Sequence, residues 1–160
     1  MSNEVTWPLL QNVIRGNKLN NTFGMVRHDS NGKLKPHQGW DFAAPVGTVV
    51  YSIADGVVEY TKTSGALGKR ICIKFQFEGK DFFALYAHLR SIYKHTGDKV
   101  SMNDEIGTTG KTGNASNLPA SEDHLHFEIR TKKYSGLGLK DRESPLKIFK
   151  KCPLHTPITG

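Results

Sequence analysis

Cysteine is scarce in this 160-residue chain, and the two that occur, Cys72 and Cys152, lie far apart without C-x-x-C spacing. That excludes a disulfide framework and weakens any reading as a thiolate-held structural zinc. Pairing of the two thiols cannot be read from sequence. No apolar run reaches the roughly 20 residues that a membrane-spanning helix needs. Met1 to Asn12 holds no basic segment followed by an apolar one, so the expectation is a chain with neither a Sec-type signal nor a membrane span. Acidic residues are outnumbered, 15 against 22 Lys and Arg, for a net charge of +7. Such a surface suits an anionic partner: nucleic acid, an anionic membrane face or an anionic polymer. The basic residues are scattered, with short pairs at Lys69-Arg70, Lys132-Lys133 and Lys150-Lys151. No RNP-like or helix-turn-helix signature accompanies them, which disfavours nucleic acid. Internal repeats and low-complexity tracts are also missing.

What is present points to one β-rich domain. The length suits a single core, and sixteen glycines suit many tight turns. Residues 1–20 have little pattern; Val5, Trp7, Leu9, Leu10, Val13 and Ile14 are expected to lie against the main body as a strap. Gly47 to Ile53 and Val57 to Thr61 read as strands. The Ala54-Asp55-Gly56 turn between them is a strong hairpin signal. A second hairpin is expected from Arg70–Phe77 and Asp81–Leu89 about Glu78-Gly79-Lys80. In its first arm Cys72 should point away from Ile71 and Ile73. The run Gly107-Thr108-Thr109-Gly110-Lys111-Thr112-Gly113 lacks Walker spacing. Its glycines are expected to let a strand and loop pass close to another backbone. Asn114 to Asp123 is a polar loop, and Pro145 to Phe149 a short packed helix or tether.

The chain is organised around His124-Leu125-His126-Phe127-Glu128-Ile129-Arg130. Its period of two predicts a half-buried strand. His124, His126 and Glu128 then share one face, and Leu125, Phe127 and Ile129 anchor the other. Among seven histidines, His37 comes with a carboxylate, Asp41, in a stretch where Pro36, Gly39 and Pro45 argue against a helix. A tight loop running into a strand can bring His37 and Asp41 to one point. Two neutral imidazoles and one carboxylate suit a zinc ion with an open fourth position for water. Further histidines nearby could move a proton and stabilise an oxyanion.

Pro36-His37-Gln38-Gly39-Trp40-Asp41-Phe42-Ala43-Ala44-Pro45, followed by Ala54-Asp55-Gly56-Val57-Val58, resembles the first signature of the lysostaphin/LytM-type zinc peptidases, family M23. Tyr86-Ala87-His88-Leu89, the glycine-rich run to Asn114, and His124-Leu125-His126-Phe127-Glu128 are similar to its later motifs, in the same order. The resemblance implies a mostly β, small antiparallel-sheet domain of the split-barrel type with an active-site groove, spanning 21–130. It leaves 1–20 as the strap and 131–160 as a C-terminal extension. It further implies one Zn2+ held by His37, Asp41 and His126, with His124 as general base. His88 would be a second catalytic histidine that orients water and stabilises the oxyanion. Arg27, after Phe23-Gly24, matches an arginine of relatives of the Gram-negative type. It could hold a substrate carboxylate or form a structural salt bridge. Glu128 could support a ligand from behind. His28, His95 and His155 match no motif.

The implied activity is zinc-dependent cleavage of peptide cross-links in bacterial peptidoglycan, of either the D-Ala–diaminopimelate or the glycine-bridge type. With no leader expected, the site of action outside the cytoplasm implies an antibacterial effector delivered by a type VI-like apparatus and paired with a cognate immunity protein, or a phage-type lysin. The alternatives are a non-catalytic wall-binding or activator module of the same fold, and a zinc hydrolase for another amide. The Asn114–Asp123 loop is longer than the segment usual in the family, and it would border the cleft and bear on substrate preference.

Overall fold

Runs rich in Val, Ile and Phe become strands, and glycine-bearing dipeptides become the turns between them. The computed structural model describes residues 4–160. The first three residues of the 1–20 strap, and with them the start of the Met1–Asn12 stretch, lie outside the described residues. In chain order the strands are β1 (Gln11–Asn12), β2 (Gly24–His28), β3 (Leu34–His37), β4 (Trp40–Ala43), β5 (Val49–Tyr51), β6 (Gly56–Lys62), β7 (Lys69–Phe77), β8 (Lys80–Ile92), β9 (Lys99–Val100), β10 (Glu105–Thr109), β11 (His124–Arg130), β12 (Arg142–Glu143) and β13 (Ile158–Thr159). A single-turn helix, α1, covers Leu146–Phe149. Nine strands join one sheet in the order β12-β11-β8-β7-β6-β9, with β4 on β11 and with β10 between β8 and β5. All its pairings are antiparallel, so the fold is mostly β as expected. Among the described residues no helix is long and apolar enough to cross a membrane.

The β7–β8 hairpin closes on Glu78 and Gly79, both at positive φ, so that Phe77 faces Lys80. Two positive-φ residues give the turn the twist of the strands it joins. Cys72 packs with Tyr60 and Leu85, away from the cluster that holds Ile71 and Ile73. Both cysteines are free thiols.

The first hairpin does not form as expected. β5 pairs with β10, whereas β6 pairs with β7 and β9. The Asp55 carboxylate accepts the backbone N–H of Met102 at 2.8 Å instead of closing a hairpin turn. Gly56 opens β6 where a side chain would collide with the Lys74 carbonyl. The two strands that flank the turn therefore pair with other partners and not with each other.

The main core lies on one face of β11. Leu125, Phe127 and Ile129 are fully buried in it beside Trp40, Phe42 and Tyr86. Phe127 meets Phe42 and Tyr86 edge to face at 6.1 and 5.2 Å, the favoured arrangement of aromatic quadrupoles. The N-terminal segment adds buried Leu9 and Ile14, while Leu10 is exposed. Trp7 stacks on Phe149 of α1 at 4.3 Å, and β1 pairs with β13. The two chain ends are thus tied across the end of the core.

Candidate active site

β11 lies between β4 and β8, and this register builds the site. His126 faces Asp41 across β4 and Ala87 across β8. Directly opposed residues share a sheet face, so Asp41 and His126 meet on the side away from the core. His37 ends β3, and two residues separate it from the start of β4. Gly39 sits between these strands because a β-carbon there would overlap the Phe127 carbonyl oxygen.

His88 reaches the same face by a backbone irregularity. Ala87 shares the face of His126, so regular alternation would turn His88 to the core side. Its φ of 59° is left-handed, and the β7–β8 register slips beside it, between Lys69 and Ile71. Tyr86 and Leu89, three residues apart, both lie in the main core. The alternation therefore shifts by one at His88, as in a β-bulge. A non-glycine residue held left-handed is a strain that clusters at functional sites. The glycine-rich run locks it. Gly68 and Gly113 leave no room for side chains against each other's backbone, and the Thr112 carbonyl accepts the His88 Nδ1–H at 2.8 Å.

Similar hydrogen bonds set the other rings. His37 Nδ1–H donates to the Thr22 carbonyl at 2.8 Å and His124 Nδ1–H to the Glu122 carbonyl at 2.9 Å. Each ring then turns its Nε2 toward the cleft. His126 is reversed: its Nε2 bonds Glu128 at 2.8 Å and its Nδ1 lies 2.9 Å from Asp41 Oδ1. His37 Nε2 is 3.2 Å from that same oxygen. His124 Nε2 lies 3.8 Å from Asp41 Oδ2. His88 and His124 meet edge to face at 5.1 Å.

The donor atoms of His37, Asp41 and His126 all lie within 4.8 Å of one another. Three lone pairs aimed at one point repel unless a cation or protons lie among them. Two imidazole nitrogens and a carboxylate oxygen are borderline donors of the kind zinc takes, so the set fits that ion. The electrostatics agree. Burial opposes the charge on His126, yet hydrogen bonds and charge from Asp41 and Glu128 raise its pKa to about 9. Burial likewise opposes ionisation of Asp41, but hydrogen bonds from His126 and His37 hold its carboxyl well below the usual range. His88 is pushed down to about 4 by burial and then by the His126 charge. Burial also lowers His124. Both rings are neutral near pH 7 and able to accept a proton.

Asp41 Oδ2 is held by Arg15 at 2.9 Å and Arg27 at 3.2 Å. Arg27 also donates to Asn20 and Asn21, and its side chain is 36% exposed against 12% for Arg15. Arg27 is therefore an ion-pair partner of Asp41 that still borders the cleft. The cleft, of about 370 Å³, is lined by His37, Asp41, His88, His124, His126 and both arginines, with Asn114 and Leu118 from the long loop. His28, His95 and His155 are exposed and lie outside it.

Two features depart from the sequence reading. The period-two pattern predicts a half-buried β11, but all seven of its residues are buried. Its polar face is covered because Glu128 is neutralised by His126, Arg130 and Arg142. Arg15 and Arg142 were not singled out; neither stands in a motif, and only the tertiary fold brings them to the site.

Comparison with known proteins agrees with this geometry. Residues 35–136 match Peptidase family M23. A peptidoglycan DD-endopeptidase, ShyA, of Vibrio cholerae is 36% identical over 102 residues, covering 64% of this chain and 22% of its own. The chain spans less than a third of the length of the curated relatives it matches. A zinc-containing peptidase from Vibrio cholerae superposes with a TM-score of 0.61 at 28% identity, over 77% of this chain and 35% of that one. The catalytic domain of lysostaphin from Staphylococcus simulans shares the fold, with a TM-score of 0.63 at 24% identity over 82% and 90% of the two chains. With the matched segment carrying every cleft histidine and Asp41, the chain belongs to peptidase family M23.

Proposed function

We propose that this protein is a zinc endopeptidase that cleaves peptide cross-links of bacterial peptidoglycan, with one ion held by His37, Asp41 and His126. The observation that carries the reading is the convergence of three lone-pair donors beside two neutral imidazoles in one open cleft. The peptidoglycan endopeptidase among its relatives supports the substrate class. Bound there, zinc supplies Lewis acidity toward a peptide carbonyl and lowers the pKa of water. The protein supplies the rest. His124 Nε2 accepts a proton from the attacking water and returns it to the leaving amine. His88 Nε2 accepts the other water hydrogen as a hydrogen bond and so orients it. Thr112 and Glu122 carbonyls keep both rings in the accepting tautomer. Arg27, at the cleft edge, can receive a substrate carboxylate with donors not spent on Asp41.

Digestion of purified sacculi, read by mass spectrometry of the muropeptides, tests the reading. His37→Ala and His126→Ala should abolish cleavage, and His124→Ala should cost about 10²–10⁴-fold in kcat with zinc retained. A folded, zinc-loaded protein that releases no cross-linked product would overturn it. Wall binding that survives a chelator without any cleavage would favour a non-catalytic module instead.

For delivery we infer an effector carried to a target cell, with a cognate immunity protein, or a phage-type lysin. The wall substrate supports this by placing the work outside the cytoplasm. Toxicity should then require fusion to a periplasmic signal, and equal toxicity in the cytoplasm would count against it.

A further inference from the structure

We infer that Glu128, clamped by Arg130 and Arg142, is the positioning residue that fixes His126 as a ligand through Nδ1, so that the segment beyond residue 136 acts on the metal site. The inference rests on the reading of His126 as a ligand. Glu128 has no exposed surface, and its carboxylate is held by His126 and two arginines. Oε2 accepts His126 Nε2–H at 2.8 Å. Oε1 accepts Arg130 Nε–H and Arg142 Nε–H, each at 2.8 Å.

The Nε–H groups of both arginines occupy Oε1, which leaves Oε2 to accept from His126 Nε2–H. The ring cannot turn over without setting a C–H against that carboxylate. Nδ1 is left facing Asp41 Oδ1 at 2.9 Å, where a metal ion would take the place of the proton between them. Such partners behind a ligating histidine fix its tautomer and raise its basicity.

Both arginines are themselves anchored. Arg130 Nη1 donates to Tyr60 Oη and the Lys133 carbonyl, at 3.2 and 3.1 Å. Arg142 Nη1 donates to the carbonyls of Gly136, Gly138 and Lys140, at 2.6, 2.9 and 3.2 Å. The chain from 136 to 140 thus curls around the Arg142 head group. β12 pairs Arg142 with Arg130 of β11. Arg142 lies beyond the segment that matches the family, 35–136.

The test measures zinc affinity by competition with a chromophoric chelator, alongside the melting temperature of each metal-free protein. Glu128→Gln should lower affinity roughly 10–100-fold, because the amide cannot accept from His126 and both arginines at once. Arg142→Met, which keeps the length and removes the charge, should lower it about tenfold. Nitrogen-15 NMR of the zinc-loaded parent should show His126 bound through Nδ1, with a slowly exchanging proton on Nε2. In Arg142→Met that proton should exchange faster, which a merely structural arginine would not cause. Zinc on Nε2 in the parent, or both folded variants binding within about twofold of the parent, would overturn the inference. If Glu128→Gln fails to fold, Arg142→Met and the parent's ring NMR decide. If the parent binds zinc and His126→Ala does not, the metal site stands whatever the fate of Glu128. If the parent binds none, the metal site itself fails.

Discussion

Gly39→Ala perturbs the site without touching a candidate ligand. Gly39 lies between His37 and Asp41, and its φ is not in the left-handed region, so alanine is allowed conformationally and the obstacle is space. A β-carbon would overlap the Phe127 carbonyl oxygen, with the carbonyl carbon at 2.9 Å and Glu128 Cγ at 3.0 Å. Ordinary carbon contacts lie near 3.5–4.0 Å, so the backbones must part by about 1 Å. Phe127 cannot yield, because it pairs with Trp40 on one side and Tyr86 on the other. The cost is overpacking of about 1–3 kcal/mol plus about 1 kcal/mol for a weakened ladder bond. At about 2–4 °C per kcal/mol for a chain this size, the metal-free protein should melt roughly 10 °C lower. The strand that retreats carries Asp41, so sacculus hydrolysis should fall by about 10² or more. A Gly39→Ala protein that melts with the parent and digests sacculi at the parental rate would refute the claim that this close approach sets the ligand geometry.

Stability of the metal-free protein should peak near pH 6.5. His88 falls from 6.5 to about 4, so between those values the unfolded chain binds the extra proton and stability declines on acidification. His126 rises from 6.5 to about 9, so its contribution is full below about pH 6.5 and is lost as pH climbs through 9. Urea midpoints that stay flat from pH 4 to 9 would contradict both shifts. Zinc at about 100 times its dissociation constant should stabilise the protein by about 2.7 kcal/mol, reversibly with a chelator; a melting temperature indifferent to the ion would count against the site. Arg15→Ala leaves a buried carboxylate short of its better-buried partner and should cost about 3 kcal/mol, whereas half-exposed Arg27 should cost under about 1 kcal/mol. Equal losses in urea denaturation would show that burial does not separate the two.

Much of the site is legible because strand periodicity is local. The H-x-H spacing puts His124, His126 and Glu128 on one face, and Pro36 and Gly39 rule out the helix that would otherwise explain the His37–Asp41 interval. His88 is harder. Its face depends on a left-handed residue with no glycine to announce it, and the Thr112 carbonyl that holds the bulge comes from 24 residues later. The Asp55-Gly56 turn misleads because a dipeptide encodes reversal and says nothing about which strand takes the edge. Burial of β11 is the most instructive difference. Period two tells which side a residue takes but not how deep that side lies. Depth is decided by whether distant charges arrive to cancel those on the face: Arg15 crosses 26 residues to Asp41 and Arg142 crosses 14 to Glu128. Without such partners a carboxylate at these depths would be too costly to keep ionised, and the strand would have stayed half-open as its pattern suggests.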